Sequence, residues 1–166
     1  MALRPQRWSR TMPAAPIVGA VIINPIGEIV GEGFHQRIND SRHAEVIALT
    51  QAGAKAKDAT LVLTLEPCNH TGNTPPCTDA IIAAGIKRVI FAKRDPNPIA
   101  KGGAEKLRAA GIEVTAGVMQ SEIEFSNRAW LTKIEKDRPY ITLKVASSLD
   151  GKVAAANGSS KWITNE

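Results

Sequence analysis

Apolar and polar positions along the chain follow two periods, and their order predicts strands alternating with helices. Residues 17–23 and 28–34 read as two strands joined at Asn24-Pro25-Ile26-Gly27, where Pro and Gly supply the turn chemistry. The polar stretch Asn39-Asp40-Ser41 precedes a helix predicted over residues 43–52. Residues 61–65 form a short continuous apolar run, suited to a strand buried on both faces. A helix over 78–84 ended by Gly85, a strand over 86–92, a helix over 104–110 stopped by Gly111 and a short strand over 112–115 complete the alternation. Glycine past each helix is the expected left-handed cap. Ser121-Glu122-Ile123-Glu124 reads as a capping box opening a last helix through about residue 133. This order predicts an α/β fold of three layers, α/β/α, with a mixed central sheet whose second half is largely parallel.

Composition narrows the function classes. A chain of 166 residues is long enough to bury one compact core. No apolar run approaches the ~20 residues of a membrane span, so no membrane partner is expected. The net charge of +5 is scattered and lacks interleaved aromatics, which argues against a nucleic-acid partner and suits a small substrate carrying phosphate. Arg4, Arg7 and Arg10, with no acid before Glu28, faintly resemble a transit sequence. They run almost directly into the first strand, however, and residues 1–15 read as an irregular N-terminus, with Met12 an alternative start. No secretory signal is seen and the two cysteines have no others to pair with, so a cytoplasmic location is expected.

Those two cysteines carry the chemistry. His43-Ala44-Glu45, then Pro67-Cys68 and Cys77, match the His-x-Glu and Pro-Cys pattern of zinc-dependent nucleobase deaminases. His43, Cys68 and Cys77 are the expected zinc ligands, and three protein ligands leave a fourth position for water. Glu45 is the expected proton shuttle, taking a proton from that water and returning it to the leaving nitrogen. Positions two apart in a helix interior face opposite ways, so the motif works only if the helix starts near His43. All three ligands fall at strand carboxyl ends or helix amino ends, where open α/β sheets place their clefts. The partial positive charge of a helix N-terminus favours a thiolate at Cys77. A disulfide between Cys68 and Cys77, or a closed structural site with His70 as fourth ligand, are the alternatives. His35 on spacing alone is a strand-end histidine.

The run Glu66-Pro67-Cys68-Asn69-His70-Thr71-Gly72-Asn73-Thr74-Pro75-Pro76-Cys77-Thr78-Asp79-Ala80 resembles the zinc loop of the riboflavin-biosynthesis bifunctional deaminase/reductase family, N-terminal half. Eight residues between the cysteines, with Thr-Pro-Pro-Cys-Thr-Asp, carry the resemblance. Val18-Gly19-Ala20-Val21, residues 30–35 and Arg94-Asp95-Pro96-Asn97-Pro98 support it. It implies a cytidine-deaminase-like fold acting on 2,5-diamino-6-(5-phosphoribosylamino)pyrimidin-4(3H)-one, with His35 and His70 touching substrate. Residues 138–164 resemble the opening of the family's NADPH-dependent reductase domain, in which Ala146 and Trp162 would touch NADPH and Ser160 the substrate.

The expected organisation is an irregular segment at 1–15, a zinc-dependent deaminase domain at 16–135, and a linker with an incomplete reductase start at 136–166. Twenty-eight residues cannot close a nucleotide-binding core, which takes on the order of 150, so no reductase activity is expected from this chain alone. A strand over 140–146 would need a sheet partner from the deaminase or from another chain. Self-association or pairing with a separate reductase chain are both open. The sequence departs from the family's pattern at Ala15, Ile47 and Asn73, where substrate-binding polar residues are usual. These departures motivate the alternative of a truncated, weakly active or inactive zinc-binding module.

Overall fold

The computed structural model describes residues 15–35, 42–72 and 74–159. β1 (Gly19–Ile23) and β2 (Ile29–Phe34) pair as an antiparallel hairpin. Asn24 fastens the turn, its side-chain oxygen accepting the amides of Ile26 and Glu28 at 3.2 and 2.8 Å. β3 (Thr60–Leu65) runs antiparallel along the other side of β1. β4 (Arg88–Lys93) and β5 (Glu113–Ala116) follow in parallel, giving the order β2-β1-β3-β4-β5. The helices are α1 (Ala44–Ala52), α2 (Cys77–Ala83), α3 (Gly103–Ala109), α4 (Gln120–Ser126) and α5 (Arg128–Lys136). The mixed sheet with a parallel second half is thus as the alternation implied.

Packing fixes where the site can form. Ile22, Leu61, Leu63, Val89 and Phe91, alternate positions of three strands, bury together with Ala44 and Ala48 of α1, Ile81 of α2 and Leu107 of α3. Each large side chain removed from water there stabilises the fold by roughly 1.5–3 kcal/mol. A second cluster joins Trp130 and Leu131 of α5 to Leu65 at the carboxyl end of β3 and to Val18. α1 presents alanines to the sheet, and β2 answers with glycines. A Cβ on Gly33 would lie 2.1 Å from the carbonyl oxygen of Ala44, and one on Gly31 would lie 2.3 Å from that of Ala48. No side chain fits between them, so helix and strand meet backbone to backbone.

Four expectations differ in detail. Leu61, Leu63 and Leu65 are buried but Val62 is only half-buried, so β3 is fully covered on one face alone. The capping box at Ser121 is not formed: α4 begins at Gln120 behind Met119, which makes no side-chain cap. Glu124, the acid that would reach back, is instead held by Lys93 at 2.9 Å and Gln120 at 2.8 Å. The last helix also breaks, at Asn127, and resumes as α5. Residues 140–146 form no strand and are exposed, because no neighbouring strand offers them a ladder among the described residues. A 3₁₀ turn at Gly53–Ala56, which no periodicity announced, closes α1.

Candidate active site

The problem of two residues sharing one helix end is solved by putting His43 outside the helix. Its backbone is extended, at φ −73° and ψ 157°, and it caps α1 without a side-chain bond to the helix. The imidazole is therefore free to turn across the helix end while Glu45, inside the first turn, is buried beneath it. Cys68 follows β3 by three residues and Cys77 is the first residue of α2. The loop between them is pinned by main-chain bonds from Thr78 to the Cys68 carbonyl (3.3 Å) and from Asn69 to the Ala100 carbonyl (3.2 Å).

The three side chains converge. His43 Nδ1 lies 3.1 Å from Cys77 Sγ and 3.5 Å from Cys68 Sγ, and all three donor atoms fall within 4.8 Å of one another. Ligands of a tetrahedral zinc with bonds of about 2.0 and 2.3 Å stand roughly 3.5 Å apart, so these separations suit that ion. One imidazole and two sulfurs also form the borderline-soft donor set that zinc prefers. Both cysteines are free, which removes the disulfide alternative, and His70 is not part of the cluster.

The helix end at Cys77 acts on the other sulfur as well as on its own. Cys68 is lowered to about 4, first by the hydrogen bond from the Cys77 side chain, against burial, and then by His43. The Cys77 backbone N–H also points at Cys68 Sγ, at 3.4 Å. Cys77 itself is pushed upward, first by its contact with Cys68 and then by burial. The positive end of α2 thus serves the other sulfur, because Cys77's own amide faces across the loop to Cys68. Cys68 in turn raises His43, working against burial. Both sulfurs have to be thiolates when they hold a metal, so binding releases a proton.

Glu45 is only 4% exposed, and its Oε2 finds no hydrogen-bond partner among the described residues. Burial foremost raises its pKa above the ordinary carboxylate value. An unpartnered buried carboxylate oxygen costs stability on the order of 1–3 kcal/mol or more, which a fold tolerates where chemistry uses the atom. It faces a cavity of about 330 Å³ lined by His35, His43, Cys68, His70, Asp95 and Trp130 among others. His35 sits just past β2 with its ring 5.4 Å from that of His43, and His70 has its Nδ1 buried with no partner among the described residues.

The other sequence candidates are less central. Ala15 lines the cavity, whereas Ile47 is half-buried on α1 and does not. Ala146 is exposed in a stretch without helix or strand. Asn73, Ser160 and Trp162 lie outside the described residues. Sequence reasoning missed Glu66, Asp95 and Trp130 as parts of the site. Glu66 is buried, accepting the amides of Ala104 (2.9 Å) and Asp95 (3.2 Å), so it ties the metal loop to α3 and to the loop after β4. Its place before Pro67 was the one available signal; Trp130 gave none, since periodicity shows only that it is apolar.

The fold and the cluster define a zinc-binding deaminase site, and the comparisons agree. The chain belongs to the family described as the cytidine and deoxycytidylate deaminase zinc-binding region, whose model matches residues 1–93. Residues 139–166 match a second model, the RibD C-terminal domain. The chain is 56% identical to riboflavin biosynthesis protein RibD of Aquifex aeolicus, over 100% of this chain and 46% of that protein. It is 52% identical to RibD of Escherichia coli, over 96% of this chain and 43% of that protein. Among solved structures it resembles a diaminohydroxyphosphoribosylaminopyrimidine deaminase/5-amino-6-(5-phosphoribosylamino)uracil reductase from Thermotoga maritima, with TM-score 0.85 and 48% identity over 90% of this chain and 43% of that one. The chain thus spans less than half the length of the curated relatives it matches. No helix among the described residues is long and apolar enough to cross a membrane.

Proposed function

We propose that this chain hydrolyses the exocyclic amine of 2,5-diamino-6-(5-phosphoribosylamino)pyrimidin-4(3H)-one, yielding 5-amino-6-(5-phosphoribosylamino)uracil and ammonia in riboflavin biosynthesis. The observation that carries the reading is Glu45: a buried carboxylate with a free oxygen, beside His43, Cys68 and Cys77, at the wall of a cavity. His43 Nδ1 and the two sulfurs would hold zinc, which when bound lowers the pKa of water toward neutrality, to about 7 in the best sites.

Glu45 then does the proton work. Its raised pKa brings it closer to the working pH, where a carboxylate can both accept and donate. It accepts a proton from the attacking water and returns it to the departing amine. The carbon–oxygen bond forms first, giving a tetrahedral ring carbon; the protonated amine then leaves as ammonia, the carbon–nitrogen bond breaking as the carbonyl forms, and no redox partner is needed. His35 and His70 contact the pyrimidine in this reading, as ring nitrogens facing a cavity of about 330 Å³.

The same reading takes residues 16–135 as the deaminase domain and 136–166 as a linker and the start of a reductase domain, supported by the match over 139–166. Ala146, Ser160 and Trp162 would then belong to an NADPH-dependent site completed by further reductase sequence. A cytoplasmic location, and association with itself or with a reductase chain, go with this reading. The test is ammonia release from the phosphoribosyl pyrimidine by purified protein. Turnover that Glu45→Asp lowers sharply, by withdrawing the carboxylate one methylene, is the expected result. Zinc bound without turnover would contradict it and leave the alternative of an inactive zinc-binding module that pairs with a separate reductase chain.

A further inference from the structure

The substrate cavity has two walls that do not touch the metal cluster, and one buried side chain joins them. The first wall is the segment leading into β1, where Pro16 and Val18 face the cavity on either side of Ile17. The second is α5, which contributes Trp130 and Ile134. Asn127 stands where α4 ends and α5 begins, and it is 3% exposed. Its Oδ1 accepts the Ile17 amide at 2.6 Å, and its Nδ2 donates to the Ile17 carbonyl at 3.1 Å.

This is a peptide-like pairing made by a side chain. The ladder between β1 and β3 ends at Ala20 and Leu63, and Thr64 then caps the next amide by accepting from Gly19 at 3.0 Å. Beyond that point the main chain of Ile17 has no facing strand on this side. A primary amide carries one donor face and one acceptor face in a plane, so Asn127 continues the ladder for one residue. It does so from the helix joint, 110 positions away in sequence. The α4–α5 break that sequence reasoning did not anticipate therefore has a role: it turns Asn127 inward while its main chain stays within the helical bonding of Ile123 and Leu131.

We propose that Asn127 is a positioning residue that sets the width of the substrate cavity by holding the 16–18 segment against α5. It acts through Pro16, Val18 and Trp130 and touches none of His43, Glu45, Cys68 or Cys77. The proposal rests on the substrate reading above for its kinetic consequence but not for its structural one. Replacing Asn127 with Ala leaves the Ile17 amide unpaired and its carbonyl with only the long 3.5 Å bond from the Thr64 hydroxyl. The segment then detaches locally, and substrate is held less well while the proton chemistry is unchanged.

The experiment compares wild type with Asn127→Ala, Asn127→Asp and a matched core variant, Leu107→Ala, which removes a buried side chain from α3. In Asn127→Ala, hydrogen exchange at the Ile17 amide is expected to quicken by about tenfold or more while the α1 and β3 amides keep their protection. KM for the pyrimidine is expected to rise about tenfold with kcat within a factor of about three. Asn127→Asp keeps the acceptor and loses the donor, so it falls between. Leu107→Ala lowers thermal stability as much or more but leaves KM near wild type. Unchanged exchange at Ile17, or faster exchange with an unchanged KM, overturns the proposal. Wild-type protein without turnover would sink the substrate reading, and binding of the pyrimidine by calorimetry would then replace KM in deciding this one.

Discussion

Gly33→Ala tests whether the α1–β2 contact is what aims the catalytic pair. The added Cβ would lie 2.1 Å from the Ala44 carbonyl oxygen and 2.8 Å from the Ala48 nitrogen. Both are backbone atoms, so no rotamer can yield, and ordinary contact begins only at 3.4 Å. α1 must therefore retreat by about 1 Å at the turn that holds Glu45 and follows His43. Overpacking of this kind costs roughly 1–3 kcal/mol, or about 2–12 °C in Tm for a chain of this size. The functional effect is expected to be larger than the stability effect, because a misplacement of about 1 Å costs on the order of 10²-fold in turnover. Gly19→Ala is the control: its Cβ would meet nothing nearer than 3.8 Å. Differential scanning calorimetry and a zinc titration on both variants decide the matter. A Gly33→Ala protein with wild-type Tm and zinc affinity would refute the backbone-contact argument.

Three further outcomes follow from other parts of the site. Glu66→Gln keeps the shape but loses the charge that accepts from Ala104 and Asp95, and urea unfolding should show a loss of roughly 1.5–3 kcal/mol. Asp95 has its pKa raised, first by burial and then by neighbouring Glu66 and Cys68, so its folded form favours the proton. Its contribution to stability is present below the unfolded value and lost as pH rises through the folded one; Asp95→Asn should match wild type near pH 4 and exceed it near neutrality in a pH series of unfolding midpoints. Chelation should lower Tm in a way that added zinc restores in proportion to its concentration, and a Tm indifferent to chelator would count against a metal that shares in folding.

Much of the site was legible because its chemistry depends on residue type and order. His43, Cys68 and Cys77, which the fold brings together, and Glu45 could be picked out by their match to a known pattern, and the alternation of strands and helices put them at element ends. The helix N-terminus was expected to favour a thiolate at Cys77, but its first amide points at Cys68 Sγ, and that direction is not written in the sequence. The capping box failed since Glu124 is claimed by Lys93, a partner 31 positions away. Glycines in β2 could be seen but not read: Gly31 and Gly33 matter through Ala44 and Ala48, which only the fold brings opposite them. Trp130 and Asn127 were invisible for the same reason. Local pattern speaks for the element, and these residues act between elements.

The proposed chemistry requires one zinc ion per chain, held by His43, Cys68 and Cys77 with Glu45 beside it. Elemental analysis of purified wild type, Cys68→Ala and Glu45→Gln by mass spectrometry tests it most directly. About one zinc per chain is expected in wild type and Glu45→Gln, and almost none in Cys68→Ala. Wild type without zinc, or Cys68→Ala that retains a full equivalent, would contradict it.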